Sequence, residues 1–543
     1  MSHNIIMKSN ITTLLIFLPF ATSMLLALAS AAPLDWTSAE GKTIQAEFIR
    51  LDGAIVVVRK GGKELPIPLA RLSLASRNQA QDLAAKLPAA NDNPAEAPTS
   101  AKSFGKQEDP NHQRKLAESI LAKKGQIEVW RGTGHLLVTD VTKLPAGKLA
   151  LKSVDAIGAP FSEEDGLLLN GCEELTRLRI HRSTLESLPL KSLTALNEID
   201  FFQCRVEPAV LAGLTGNKSI RALSCHQLET PMGPDLIEVV AACPNLETLN
   251  LHKAAIGGAT LAPLSKLKFL KNLYLGGNDW TDTELMALST LPILEHLNIS
   301  ESNLVDHNFA FLRGLKSLRS LDLTSSRLGE QTLSGVAEAP SLAVLQLNYA
   351  SLSDAMLRPL SGHKGLRELL IVETAITGED LASFKSLPNL IKLHFGGGKT
   401  RMSEEGFQNI IQICPNVSEL AISAGNLSSG SLTQLSAMRN LSTLMLTGGA
   451  TLGEETIRSL SGMKLKTLGL DGSKVSDELL AGFRPLKSTL AEFWLRDTRV
   501  SDASLATLEQ FHGLSNLYVS GTDISKDGAE RLRKSLQSCT IHH

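Results

Sequence analysis

The pattern Leu-x-x-Leu-x-Leu returns along this chain from Leu151 to Leu514, and in eleven of its fifteen steps the return takes 24 residues. Four successive copies show it cleanly: LETLNL from Leu246 to Leu251, LKNLYL from Leu270, LEHLNI from Leu294 and LRSLDL from Leu318. The anchors continue at Leu342, Leu366, Leu390, Val417, Leu441, Leu465, Leu490 and Leu514. Looser copies stand at Leu151, Leu175, Leu196 and Ile220, with a fragment near Ile541. A fixed short period marks a stacked array, because one unit cannot bury its own apolar face and only its neighbours complete the core. The expectation is about sixteen units of about 24 residues, with degenerate units at the ends.

Within a unit the first, fourth and sixth positions are apolar and point inward, which predicts a short strand. The eleventh position is apolar too: Ile256, Trp280, Leu304, Leu328, Leu352, Ile376, Val475, Val500 and Ile524. Directly after it come Thr281-Asp282, Ser353-Asp354, Ser476-Asp477 and Ser501-Asp502, whose side-chain oxygens suit the unpaired N–H groups at the start of a helix. The predicted fold is therefore α/β: a curved solenoid with parallel strands on the concave face and short helices on the convex face. The recurring aspartate reads as part of a cap rather than a calcium site or a set of catalytic carboxylates.

These units are leucine-rich repeats by pattern. ACPNLETLNL and ICPNVSELAI resemble the cysteine-containing leucine-rich repeat subtype, which implies a substrate-receiving role like that of eukaryotic F-box proteins, although no F-box precedes the array here. Upstream, residues 34–83 alternate apolar Ile44, Ala46 and Phe48 with polar residues, and Asp52-Gly53 and Gly61-Gly62 mark hairpin turns, which predicts a small β-barrel. The order Trp36-Thr37, Gly41-Lys42, Ala46-Glu47-Phe48, Asp52-Gly53, Arg59-Lys60, Pro68-Leu69 and Leu72-Ser73 resembles an SLA1 homology domain 1 (SHD1). That resemblance implies an SH3-like barrel that binds short peptides.

Lys8 precedes a largely apolar run from Ile11 to Ala29, and Ala29-Ser30-Ala31 gives a small-x-small site, so residues 1–31 read as an export signal cleaved after Ala31. An uncleaved anchor is the alternative, because the run is long enough to span. The first cysteine is Cys172, so a lipoprotein anchor at the cleavage site is not expected. Residues 84–110, rich in Ala, Asn, Pro and Ser, read as a flexible linker, 111–150 as the N-terminal cap of the solenoid, and 151–543 as the repeat domain. The whole order resembles exported repeat proteins of planctomycete and verrucomicrobial bacteria, which implies a periplasmic, cell-surface or secreted location.

Charge changes the picture by exclusion. With 54 basic against 56 acidic residues and no polybasic stripe, neither nucleic acid nor an anionic membrane surface is an expected partner. Six cysteines in an exported chain invite disulfides, but Cys172, Cys243 and Cys414 each stand three residues before an anchor. At about 4.8 Å per strand, Cys172 and Cys243 would lie roughly 14 Å apart, so free, mostly buried thiols are expected.

Candidate chemistry belongs to the concave positions between the inward leucines. Tyr274, Tyr349 and Tyr518, all three tyrosines of the chain, are read there, with Trp494 and Phe202. In a chain with 4% aromatics these suit the anchors of a protein interface, and Trp494, Arg496 and Tyr518 on neighbouring units form the better patch. His226 and His252 share one offset in adjacent units, about 5 Å apart, and His181, His296 and His394 also face the concavity; with no third ligand at metal spacing they read as polar surface. There is no Gly-x-Ser-x-Gly elbow, phosphate-binding loop or His-Glu-x-x-His, and Gly213-Leu-Thr-Gly-Asn-Lys-Ser lacks phosphate-loop spacing. No catalytic residue, cofactor or metal is expected. The functional expectation is a non-enzymatic scaffold for a protein or peptide ligand, with the SHD1-like module as a tethered second contact. A structural, self-associating envelope component is the alternative.

Overall fold

The computed structural model describes residues 33–72 apart from 39–41, 53, 54, 62 and 69–71; residues 76, 77, 79, 80 and 83; and 109–543 apart from 231–234, 255, 257–259, 306 and 397–401. The expected export signal and residues 84–108 of the expected linker lie outside the described residues. Two compact units divide the chain, residues 1–93 and 94–543.

In the first unit, Leu34–Thr37, Thr43–Asp52, Ile55–Lys60 and Lys63–Pro68 pair in chain order as an antiparallel meander. Alternation along the strands turns Ala46, Val56 and Val58 inward against Trp36 and Leu72. The buried indole N–H is satisfied by the Ala46 carbonyl at 3.0 Å. An antiparallel bridge joins Ser38 to Leu72 beyond the ends of the sheet. On the outside, Arg50 and Arg59 converge on Glu64 at 3.1 and 3.2 Å, and these bonds hold its carboxyl below the usual range.

The second unit begins with helix His112–Ala122, which buries Leu116, Ala117, Ile120 and Leu121. A hairpin of Gln126–Arg131 and Gly134–Val138 follows, and its first strand pairs antiparallel with Leu151–Ala156. From that strand onward the pairing is parallel, repeat to repeat, through Arg177–His181, Glu198–Phe202 and Ala222–His226 to Asn516–Tyr518 and Thr540–His542. Register is set by the fourth-position residues, which stand side by side: Val154, Leu178, Ile199 and Leu223 at one end, Leu468, Phe493, Leu517 and Ile541 at the other. The result is a leucine-rich repeat solenoid. Its apolar eleventh-position residues, Ile256 through Ile524, are all buried. The sheet is open: among the described residues Gly134–Val138 pairs only with its hairpin partner and Thr540–His542 only with Asn516–Tyr518.

The return segments are more varied than a uniform set of short helices. Some are α-helical, such as Glu330–Ala337, Glu404–Ile413 and Lys526–Ser535; others are 3-10, such as Ala262–Lys266, Ala310–Gly314 and Asp354–Leu360. A 3-10 turn advances about 2.0 Å per residue against 1.5 Å in an α-helix, so it spans the repeat with fewer residues. The ten-residue helix Glu404–Ile413 falls in the longest interval between anchors, Leu390 to Val417.

Two devices tie consecutive repeats together. The eighth position adopts the left-handed conformation in repeat after repeat, whether it holds Arg182, Gln203, Lys253, Glu301, Ser325, Tyr349 or Asp497, with φ between 50° and 58°. Its N–H donates to the seventh-position carbonyl of the next repeat, as from Arg182 to Phe202 at 2.9 Å, Tyr349 to Val372 at 2.7 Å and Asp497 to Ser520 at 3.0 Å. The second device corrects the cap reading. Thr281 and Ser501 do cap their own helices, accepting from Glu284 and Ala503, but Ser353 and Ser476 make no such bond. The aspartate beside each reaches into the following repeat instead. Asp354 accepts from the Thr377 N–H at 2.9 Å and hydroxyl at 2.8 Å, Asp477 from the Ser501 N–H at 2.8 Å, and Asp502 from the Ser525 N–H at 2.9 Å.

Candidate interaction face

The fifth and seventh positions of each repeat flank an inward leucine and point to the exposed face of the parallel sheet. Fourth-position register aligns them in rows across the strands, so a residue's neighbours in space are its counterparts in adjacent repeats.

At the N-terminal end the rows are charged and satisfied from within. Arg179 meets Glu198 at 3.1 Å. Asp200 receives His181 Nε2 at 3.4 Å and His226 Nε2 at 3.1 Å on its two oxygens. Burial pushes the Asp200 carboxyl up, and the bond and charge of His226, then His181, outweigh it and hold the group below the usual carboxylate range. Phe202 sits between the same two imidazoles, with ring centroids 5.2 and 4.7 Å away. His226 and His252 lie close enough for the charge of one to act on the other, but their carboxylate partners differ. His226 turns to Asp200, while His252 lies past its strand, 3.3 Å from Glu301, with a pKa that burial lowers against the raising pull of that carboxylate. Arg182, Gln203, Gln227, Leu228, Glu229 and Lys253 line an open, polar depression of about 570 Å³ beside this cluster.

Two of the expected anchors stand alone. Tyr274 is on strand Asn272–Tyr274, exposed between Asn250 and Asn298. Tyr349 is not on a strand at all: its strand ends at Gln346, and the residue occupies the left-handed corner with 62% of its surface exposed.

Trp494, Tyr518 and Arg496 are brought together. Trp494 and Tyr518 are in-register neighbours with centroids 4.2 Å apart, and Tyr518 stacks in turn on His542 at 4.2 Å with planes 6° apart. Arg496 lies 4.7 Å from the Trp494 ring and 5.9 Å from the Tyr518 ring. Its guanidinium is fixed by Asp471, which accepts from Nε at 2.9 Å and forms an ion pair with Nη2 at 2.7 Å, while the Arg496 backbone N–H donates to the same carboxylate at 2.8 Å. Sequence reading missed Asp471 and His542. The seventh position one repeat before Arg496 would have pointed to the first, and carrying the register into the terminal fragment at Ile541 would have found the second.

Among the described residues no group of three or more His, Cys, Asp or Glu side chains is placed to hold a metal, and no helix is long and apolar enough to cross a membrane. No family model matches the chain, and no curated protein matches it. Among solved structures it is similar to a leucine-rich repeat protein of Leptospira interrogans, with TM-score 0.43 and 20% identity over 71% of this chain and 93% of that one. It is also similar to an internalin, InlF, of Listeria monocytogenes, with TM-score 0.37 and 18% identity over 68% of this chain and 87% of that one. The mouse RP105/MD-1 complex matches with TM-score 0.44 and 16% identity over 68% of this chain and 71% of that one. These are likenesses of fold alone.

Proposed function

We propose that this chain is a non-enzymatic scaffold that binds a protein or peptide partner on the exposed face of its sheet, at the C-terminal end, through Trp494, Tyr518 and Arg496. The observation that carries the reading is the ring row with its locked arginine. Rings held by stacking and a guanidinium held by Asp471 are already ordered, so a partner meets them without the entropy cost of fixing side chains. Tryptophan, tyrosine and arginine are also the residue types that dominate binding energy at interfaces. Export directed by residues 1–31, and a second tethered contact from an SH3-like, SHD1-like barrel at 34–83, belong to the same proposal. The small-x-small site after the apolar run and the Trp36-centred meander support them.

The test is cross-linking of the full chain to cell-envelope and secreted material, beside a variant carrying Trp494→Ala, Arg496→Ala and Tyr518→Ala with an unchanged melting profile. Material captured by the parent and lost by the variant establishes recognition through this face; equal capture by both removes the patch from the proposal.

A second reading, self-association, is favoured by the edge strand Gly134–Val138. It is unpaired on its outer side among the described residues and exposes Leu136 and Leu137 by 38% and 54%, with no charged residue along it. Light scattering decides: a dimer that Leu137→Lys converts to a monomer would move this reading ahead.

A further inference from the structure

On the other side of Trp494 the row is interrupted. Its in-register neighbour on the preceding repeat is Gly469, and the neighbour of Gly469 is Met445. Adjacent strands lie about 4.8 Å apart, so the strands of Met445 and Trp494 are separated by roughly 10 Å with no side chain rooted between them. That gap is occupied by the end of Met445. A Cβ placed on Gly469 would lie 2.3 Å from both the sulfur and the terminal methyl of Met445, so the thioether lies folded across the glycine.

Apart from the end of Met445, the groups packed on Trp494 lie on its other sides. Tyr518 stacks on the side facing the next repeat, and the distances from Arg496 to the two rings set the guanidinium beside the pair, roughly at a right angle to the line joining their centres. Arg496 leans towards the repeat of Gly469 only as far as Asp471, two residues beyond the glycine. Along the same row the neighbouring fifth-position residues, Ala421, Met445 and Gly469, are uncharged, unlike Asp155, Arg179 and Asp200 at the far end of the sheet.

We infer that Gly469 is the floor of a side-chain slot walled by Trp494 and plugged by Met445, and that it takes a neutral aliphatic or aromatic side chain of a bound peptide. This deepens the proposed binding function and rests on it. Methionine has three rotatable bonds and a soft thioether, so it vacates the slot at small cost and repacks against whatever enters. Desolvation selects against an ionised occupant of either sign. An ionised side chain entering here would lose its water beside uncharged Met445 and Gly469, with the Arg496 guanidinium already paired to Asp471. Arg496 also retains a donor: Asp471 accepts from Nε and pairs with Nη2, while Nη1 has no hydrogen-bond partner among the described residues and is free for a backbone carbonyl of the peptide.

The experiment uses the full chain with 13C-methyl methionine, titrated with N-acetyl-leucinamide and N-acetyl-phenylalaninamide as neutral probes and N-acetyl-lysinamide and N-acetyl-aspartamide as charged ones. The neutral probes are expected to shift the Met445 methyl saturably, and the charged probes at least tenfold more weakly. In Met445→Ala, where the plug is gone, neutral-probe affinity read from backbone amide shifts should rise severalfold; in Gly469→Val, where the floor is filled, it should vanish. No saturable shift with any neutral probe overturns the slot, as does full binding by a folded Gly469→Val; should that variant not fold, an unchanged affinity in Met445→Ala overturns it alone. Envelope capture separates this inference from the function it rests on. Capture kept by Gly469→Val and lost by the triple patch variant removes the slot and leaves the interface; capture kept by the triple variant removes the interface, whatever the probes do.

Discussion

Tyr349 shows what a single position can be made to do by its place in a repeat. A non-glycine residue in the left-handed region costs roughly 1–2 kcal/mol, and here the N–H bond to Val372 fixes that backbone conformation regardless of the side chain. With 62% of its surface exposed the ring has little packing to lose, so Tyr349→Gly is expected to raise stability by about 0.5–1 kcal/mol in urea unfolding. A loss of stability would mean that the ring holds the corner through contacts of its own. The sequence made Tyr349 equivalent to Tyr274 and Tyr518 because all three follow inward leucines closely; three residues of offset separate the fifth position on the strand from the eighth at the corner. Asp200 was illegible for a different reason. Its partners His181 and His226 lie one repeat on either side, and only the register reveals that both imidazoles share one carboxylate. Asp200→Asn should cost about 1–2 kcal/mol at pH 7, the worth of hydrogen bonds to a charged group. Because the native pKa is lowered, that stabilisation is present above the unfolded value near 3.9 and is lost as pH falls through the native one. The gap between parent and variant should therefore shrink progressively as pH falls below about 4 in thermal melts, and a gap that does not change with pH would show that the carboxylate charge is not its source.

At the scale of the element, the strands were readable and the return segments were not. A strand is specified by leucines with a period of two, and their spacing survives every change in loop length. Whether a return forms an α-helix or a 3-10 turn is not set by repeat length, since Glu330–Ala337 and Ala310–Gly314 both lie in 24-residue intervals, and no local pattern states it. The Ser-Asp and Thr-Asp pairs were correctly read as marking helix starts, yet half of the chemistry lies between repeats. Asp477 illustrates it, accepting from the Ser501 N–H and from the hydroxyls of Ser501 and Ser504. Burial pushes its carboxyl up and these bonds prevail, leaving it below the usual range. Asp477→Ala leaves those donors without an acceptor and should cost about 1–3 kcal/mol, read from the urea midpoint. An effect below about 0.5 kcal/mol, the size expected of an ordinary surface substitution, would show that water replaces the carboxylate freely.

For the whole molecule, the period alone made the solenoid legible, and with it the fate of the cysteines. All six are free, five of them buried. Burial pushes Cys172 and Cys414 up to about 12 and Cys204 and Cys243 to about 11, far from the thiolate form that reacts. Cys539, in the last repeat, is pushed to about 11 as well, but it alone is partly accessible, so access and not acidity sets it apart. Alkylation at pH 8 followed by mass spectrometry should modify Cys539 alone in the native chain and all six in denaturant; native labelling of Cys225 would mean that the stack opens at its N-terminal end. The slot beside Trp494 had no signature in the sequence, since it is made by an absent side chain and a neighbour that leans into the space. Legibility ended where the pattern within one repeat gave way to contacts between three.

The acids that join consecutive repeats also give the stack a direction. At Asp354, Asp477 and Asp502 the carboxylate belongs to the earlier repeat and the helix start it serves, at Thr377, Ser501 and Ser525, to the later one. A chain leaving the ribosome N-terminus first thus finds each acceptor already in place when the next helix start emerges. Trimming from the C-terminus leaves behind only a carboxylate that water can solvate, whereas trimming from the front strands a helix start without its acceptor, so the two ends of the array are unequal in what they can lose.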